Sequence, residues 1–147
     1  MDMHTRHRER GNAMVETAIV LPLLLLMMVG IFEVGRAYET WQVLTNAARE
    51  GARAAILPSG DADTSEAIIR KYMTDGQLNN AASASVVVDR SATMTVNGTS
   101  MAATQVVVDY PFNFIMLQPV ARLVVPGTNT GEDITMRATA MMRNEAP

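Results

Sequence analysis

The side chains able to carry acid–base or metal chemistry are few and scattered. Asp61, Asp63 and Glu66 resemble the opening of a calcium loop. The series stops early and lacks the spaced glutamate of that motif. A solvated turn with acidic charge at a helix start accounts for it better. Asp89 and Asp109 close two predicted strands and could come near each other, yet strand-end carboxylates are ordinarily just solvated. Arg49, Glu50 and Arg53 cluster on one stretch, with nothing nucleophilic beside them. The histidines, His4 and His7, both lie in the charged N-terminal segment, so no Ser/His/Asp set is available beyond it. With no cysteine, disulfides, thiol catalysis and cysteine metal sites are excluded. The net charge of −3 argues against a nucleic-acid binder, which would normally show a basic patch. The twelve methionines are spread over every segment and read as apolar filler. The expectation is a chain with no catalytic residue, no metal, no cofactor, no small-molecule substrate and no nucleic-acid partner.

One acidic residue does demand an explanation. Residues 17–32 form a run of 16 without charge, and Glu16 stands at its start. An ionised acid near a bilayer interior costs about 2.5–3.5 kcal/mol on insertion scales and is by default a functional candidate. In the plain reading, Glu16 sits at headgroup level and costs little. In the sharper one, a cut after Gly11 makes Asn12 the new N-terminus. The Asn12 amine and the Glu16 carboxylate can then neutralise one another between neighbouring helices.

The elements that must position Glu16 follow from patterning. The uncharged run is about 24 Å long as a helix at about 1.5 Å per residue. That is short for a bilayer core of about 30 Å, and including residues 12–15 makes it long enough. It reads as a permanent transmembrane helix over about residues 13–33. The competing reading is a cleaved secretory signal, and it suffers because helical patterning continues through the small-residue site Gly35-Arg36-Ala37. Arg6, Arg8 and Arg10 precede the run, which keeps the N-terminus cytoplasmic and the C-terminal part outside. Pro22 removes one backbone hydrogen bond and is expected to kink the helix. Glu33 and Arg36 are spaced to pair as the chain leaves the lipid. Tyr38 and Trp41 suit either an interfacial belt or packing on a soluble domain. Trp41, Leu44, Ala48, Ala52, Ala55 and Ile56 fall near one face at helical steps, and Ala47, Gly51 and Ala55 form a series of small residues four apart. That series can receive the chain's own C-terminal domain or a helix of another subunit. The helix spans 12–57, about 69 Å, with Pro58, Ser59 and Gly60 ending it.

The string R-G-N-A-M-V-E resembles the cleavage motif of type IV prepilins: a short basic leader, a glycine, a glutamate five residues on, then an apolar helix. G-N-A-M-V-E-T-A-I-V-L-P-L-L-L-L, followed by G-I-F-E-V-G-R and A-A-R-E-G-A-R-A-A, is similar to the TadE-like family. These are pseudopilins or minor pilins of tight-adherence, Flp-type pili. The likeness is strongest over residues 11–58. It extends weakly to V-x-V-D-Y-x-F at 106–112 and to the closing segment at 138–145. Thr17 stands where many such proteins have an aromatic residue. The resemblance implies a leader over residues 1–11, cut between Gly11 and Asn12 by a prepilin peptidase. It implies that Glu16 is the assembly charge. The implied place is the bacterial inner membrane, with a single pass. The implied partners are other pilin-like subunits and the pilus assembly machinery. The alternative is an uncleaved bitopic protein whose outer domain binds a partner or ligand.

Residues 58–64 read as a linker and 65–147 as an extracytoplasmic domain. Thr64 or Ser65 is expected to cap a short helix ending at Gly76, with Ala67, Ile68, Tyr72 and Met73 on its apolar face. Three segments rich in Val and Thr follow as strands: 85–89, 92–96 and 104–110, the last ended by Pro111. Asn97-Gly98 is a hairpin signal. A short helix or strand is expected around 114–117, with Phe112 to Leu117 either buried or an exposed patch, and a final strand over 134–142. The fold class is α+β: a long N-terminal transmembrane and amphipathic helix, then a small domain with a short helix and a meandering antiparallel sheet of about four strands.

Overall fold

The computed structural model describes residues 3–57, 61–125, 127 and 129–144, with the side chains of 3–12, 123 and 124 outside that description. Helix α1 spans Met3–Ala55 and passes through Pro22 as one helix. The expected stop at Pro58, Ser59 and Gly60 lies outside the described residues. Helix α2 spans Ala62–Asp75, and α3 spans Leu117–Val124. The strands are β1 Ser85–Asp89, β2 Thr93–Val96, β3 Thr99–Phe112 and β4 Ile134–Arg143. The class is α+β, with a long apolar helix, a short helix and four antiparallel strands, as the patterning implies.

The chain forms two compact units. One comprises α1 up to Arg36 together with Phe114–Glu132; the other comprises Ala37–Asn113 with the segment from Asp133 onward. The second holds the sheet. Its strand order is not sequential, because β3 is the hub. β1 pairs with β3 from Ser85↔Asp109 to Asp89↔Gln105. β4 pairs with β3 from Ala103↔Arg143 to Phe112↔Ile134, and β2 closes a hairpin on the start of β3. That hairpin turns on Asn97 and Gly98, both at positive φ (50° and 79°), the conformation the Asn-Gly pair accepts most readily.

β3 alternates. Thr104, Val106, Val108, Tyr110 and Phe112 are buried on one face. Ala138 and Ala140 lie opposite Val108 and Val106 on β4, so small residues face larger ones. The third strand runs past Pro111, which was expected to end it. The Pro111 carbonyl accepts from Asn80 Nδ2 at 3.0 Å, so this edge of the residue points beyond the end of β1. The N–H that proline lacks would point the same way, and no ladder bond to β4 is lost.

Helix α2 starts earlier than expected. Its cap is Asp61 rather than Thr64 or Ser65: the Asp61 carboxylate accepts from the Thr64 amide at 2.5 Å. Hydrogen bonds from Thr64 hold the Asp61 carboxyl below its usual range. The buried face is Ser65, Ile69 and Met73, at four-residue steps. Ala67 and Tyr72 are exposed, so the expected apolar face is rotated by about one position. Ser65 can lie inside because its hydroxyl donates to the Asp61 carbonyl at 2.8 Å. Arg70 ties the helix to the turn before β1, donating to the carbonyls of Ala81 and Ala84 at 3.1 and 3.3 Å.

Candidate functional site on the long helix

The apolar part of α1 is wrapped by almost nothing. Met14, Ile19 and Ile31 are 76%, 71% and 72% exposed, and Leu21, Leu23, Leu24 and Leu25 between them are exposed as well. A soluble core helix shows the opposite, one buried stripe. Among the described residues this is the one helix long and apolar enough to cross a membrane. Its composition puts straight and branched aliphatic side chains on every face, which suits lipid on every face.

Glu16 is exposed on this segment and borders a shallow groove with Thr17, Val20, Leu21 and Leu24. Thr17 does not share its hydroxyl with Glu16; it donates back to the Ala13 carbonyl at 2.8 Å. Among the described residues no side chain bonds the Glu16 carboxylate. Gly11 and Asn12 fall within α1, and their side chains lie outside those described.

At the other end of the apolar segment stands Glu33, which is fully buried. Its Oε2 accepts from the Arg36 guanidinium at 2.5 Å, the expected pair. Its Oε1 accepts from the backbone N–H groups of Ile115 and Met116 at 2.8 and 2.6 Å. Those are the residues just before α3, where free N–H groups carry the positive end of the helix dipole. One carboxylate thus fastens the entry of α3 to α1. The helix falls at 117–124 rather than around 114–117, and Pro119 sits in its first turn, where no intrahelical N–H is needed. Gly131, at φ +83°, backs onto this start; a Cβ there would lie 2.6 Å from the Gln118 amide nitrogen. Of the segment Phe112 to Leu117, Phe112 is buried while Ile115 and Met116 are exposed.

Past Arg36 the surface of α1 changes. Tyr38 and Trp41 are exposed, with ring centroids 6.3 Å apart, so neither packs into a core. Leu44, Ala47, Ala48, Ala52 and Ala55 are fully buried. Gly51 sits against Ile69 of α2. The small-residue series Ala47, Gly51, Ala55 is therefore covered by this chain's own domain. A helix from another subunit cannot use that face without displacing α2. The reason is geometric: without a Cβ at Gly51, the two backbones approach closely enough for Ile69 to fill the gap.

The candidate acid pairs separate. Asp89 and Asp109 sit at opposite ends of the β1 register, four residues apart along the ladder, or about 14 Å at about 3.4 Å per residue. Asp89 accepts from the amide and hydroxyl of Ser91 at 2.8 and 2.6 Å, and these bonds hold its carboxyl below the usual range. Asp109 takes a two-pronged bond from Arg137 at 2.7 and 2.8 Å. Asp61 is spent on its cap and Glu66 on Arg70, so the partial calcium series holds no cation cage. Among the described residues no group of three or more His, Asp or Glu side chains is placed to hold a metal.

The tethering role of Glu33 is the feature the sequence reading missed. An acid at the end of an apolar run was the available signal; its backbone partners lie more than 80 residues away in the chain and left none.

A family model described as TadE-like protein matches residues 11–53. That segment holds Gly11, Glu16, the whole apolar run and the start of the buried alanine face, so the resemblance to the TadE-like family is found independently over it. No curated protein and no solved structure matches the chain.

Proposed function

We propose that this is a membrane-anchored, pilin-like protein of the TadE kind that acts without catalysis in building a tight-adherence pilus. The observation that carries the reading is the family match over residues 11–53 on a helix whose apolar surface is bare. In this account α1 is a single inner-membrane span, with its N-terminus in the cytoplasm and the sheet-bearing unit outside. A prepilin peptidase removes residues 1–11. The bare span then packs laterally against other pilin-like helices. Glu16 meets a partner's terminal amine, which removes a cost of about 2.5–3.5 kcal/mol that an unpaired acid would carry in lipid. Because the Ala47-Gly51-Ala55 face is occupied, lateral contacts use the apolar surface from Met14 to Val34. The outer unit chooses which subunits join.

The test is pilus assembly in cells carrying Glu16→Ala in place of the native chain. The account expects the variant to reach the membrane at normal levels while surface pili are lost or sharply reduced. Normal piliation would contradict the charge-pair role.

A further inference from the structure

We infer that the start of α3 is a second membrane contact, a short element seated in the outer lipid–water interface beside the point where α1 leaves the bilayer. The inference rests on α1 being the membrane span. The Glu33 bonds fix Ile115 and Met116 against α1 at the level of Glu33. At that level α1 itself exposes Ile31, Phe32 and Val34, at 72%, 53% and 67%. Ile115 and Met116 are 57% and 48% exposed, so both segments present bare apolar side chains at that level. A surface covered by lipid at residues 31–34 cannot stop short of two side chains fastened beside it.

The polar groups agree with that placement. The hydrocarbon of a bilayer does not hydrogen-bond, so backbone N–H groups that dip toward it are best satisfied by partners in the protein. The N–H groups of Ile115 and Met116 precede the helix and have no carbonyl within it to bond; Glu33 Oε1 takes both. Glu33 in turn is relieved of its own charge cost by Arg36. The result is a loop-to-helix junction with an apolar exterior and satisfied polar interior. Exposed Arg122 lies on the same short helix, a side chain suited to reaching headgroup phosphates from an interfacial position. α3 has the composition of an interfacial helix, apolar at Leu117, Val120 and Ala121 and polar at Gln118 and Arg122.

Because the chain has no cysteine, single nitroxide labels can be placed without removing any. The experiment uses the full chain in vesicles of phosphatidylethanolamine and phosphatidylglycerol, with Ile115→Cys, Met116→Cys, Ile31→Cys and Val87→Cys each labelled in turn. Collision with oxygen, which enters lipid, is compared with collision with a nickel chelate, which stays in water. The expected result is an oxygen-to-nickel ratio at 115 and 116 severalfold above that at Val87 and approaching that at Ile31. Adding Glu33→Ala should lower the ratio at 115 toward that at Val87, and Glu33→Gln, which keeps an acceptor oxygen, should restore part of it. Lipid exposure at Ile31 with water exposure at 115 and 116 would overturn the inference and leave the span reading intact. Water exposure at Ile31 would overturn both. Labels at 115 and 116 shielded from both reagents would overturn it in favour of contact with another protein. A ratio at 115 indifferent to Glu33→Ala would overturn the tether.

Discussion

Gly51 of α1 and Ile69 of α2 occupy one another's space: a Cβ built on Gly51 would lie 2.4 Å from both Cγ1 and Cδ1 of Ile69. Ile69 is fully buried, so it must shift against packed neighbours for a Cβ to fit. Alanine is the better helix former by about 1 kcal/mol, but overpacking of this kind costs about 1–3 kcal/mol. Gly51→Ala should therefore be destabilising by about 1 kcal/mol in chemical unfolding of the detergent-solubilised protein, and Gly51→Val by more. Combining Gly51→Ala with Ile69→Ala should cost less than the sum of the two single changes. Strict additivity would mean the contact is absent.

Tyr110 secures the approach to β1. Its ring is almost wholly buried on the core face of β3, and its hydroxyl accepts the Asn80 amide at 3.2 Å. Tyr110→Phe keeps the ring and leaves that amide without its acceptor. The expected loss is about 1 kcal/mol, with faster hydrogen exchange at Asn80 than in the native chain. Unchanged exchange at Asn80 would show that the bond does not hold the turn.

The Asp109–Arg137 pair makes a small, pH-dependent contribution to the sheet. The bonds from Arg137 hold the Asp109 carboxyl below its usual 3.8. A lowered folded-state value means the unfolded chain takes up the proton first as pH falls. The stabilisation is thus present above about 3.8 and is lost as pH drops through the lower folded value. Asp109→Asn should be less stable than the native chain at pH 7, by a small amount because the arginine is largely exposed. The gap should close as pH is lowered below 3.8. A gap that persists to low pH would assign the effect to packing instead.

The parts of the fold legible in sequence are those with a local cause. Val86, Val87 and Val88 between turn residues gave β1, and Asn97-Gly98 gave the hairpin because few pairs tolerate positive φ at both positions. The apolar run gave the long helix. Features set by distant partners were not legible. The buried face of α2 was misplaced by about one residue because Ser65 is buried through a bond to its own turn, which hydropathy alone scores against. Pro111 read as a strand end because its missing N–H matters only on the paired side, and sequence does not say which side that is. Glu33 read as half of a local pair with Arg36, while its bonds to Ile115 and Met116 depend on where α3 returns. Ala47, Gly51 and Ala55 were readable as a close-packing face, yet small residues four apart look the same whether their partner is α2 or another subunit.

Glu16 and Gly11 carry the functional account, and the cut between Gly11 and Asn12 comes before everything else in it. The most direct measurement is the N-terminus of the protein recovered from membranes that contain the system's peptidase, by intact mass and N-terminal sequencing. The account predicts a chain beginning at Asn12, with Glu16 as its fifth residue. A chain that still begins at Met1 in those membranes would contradict it.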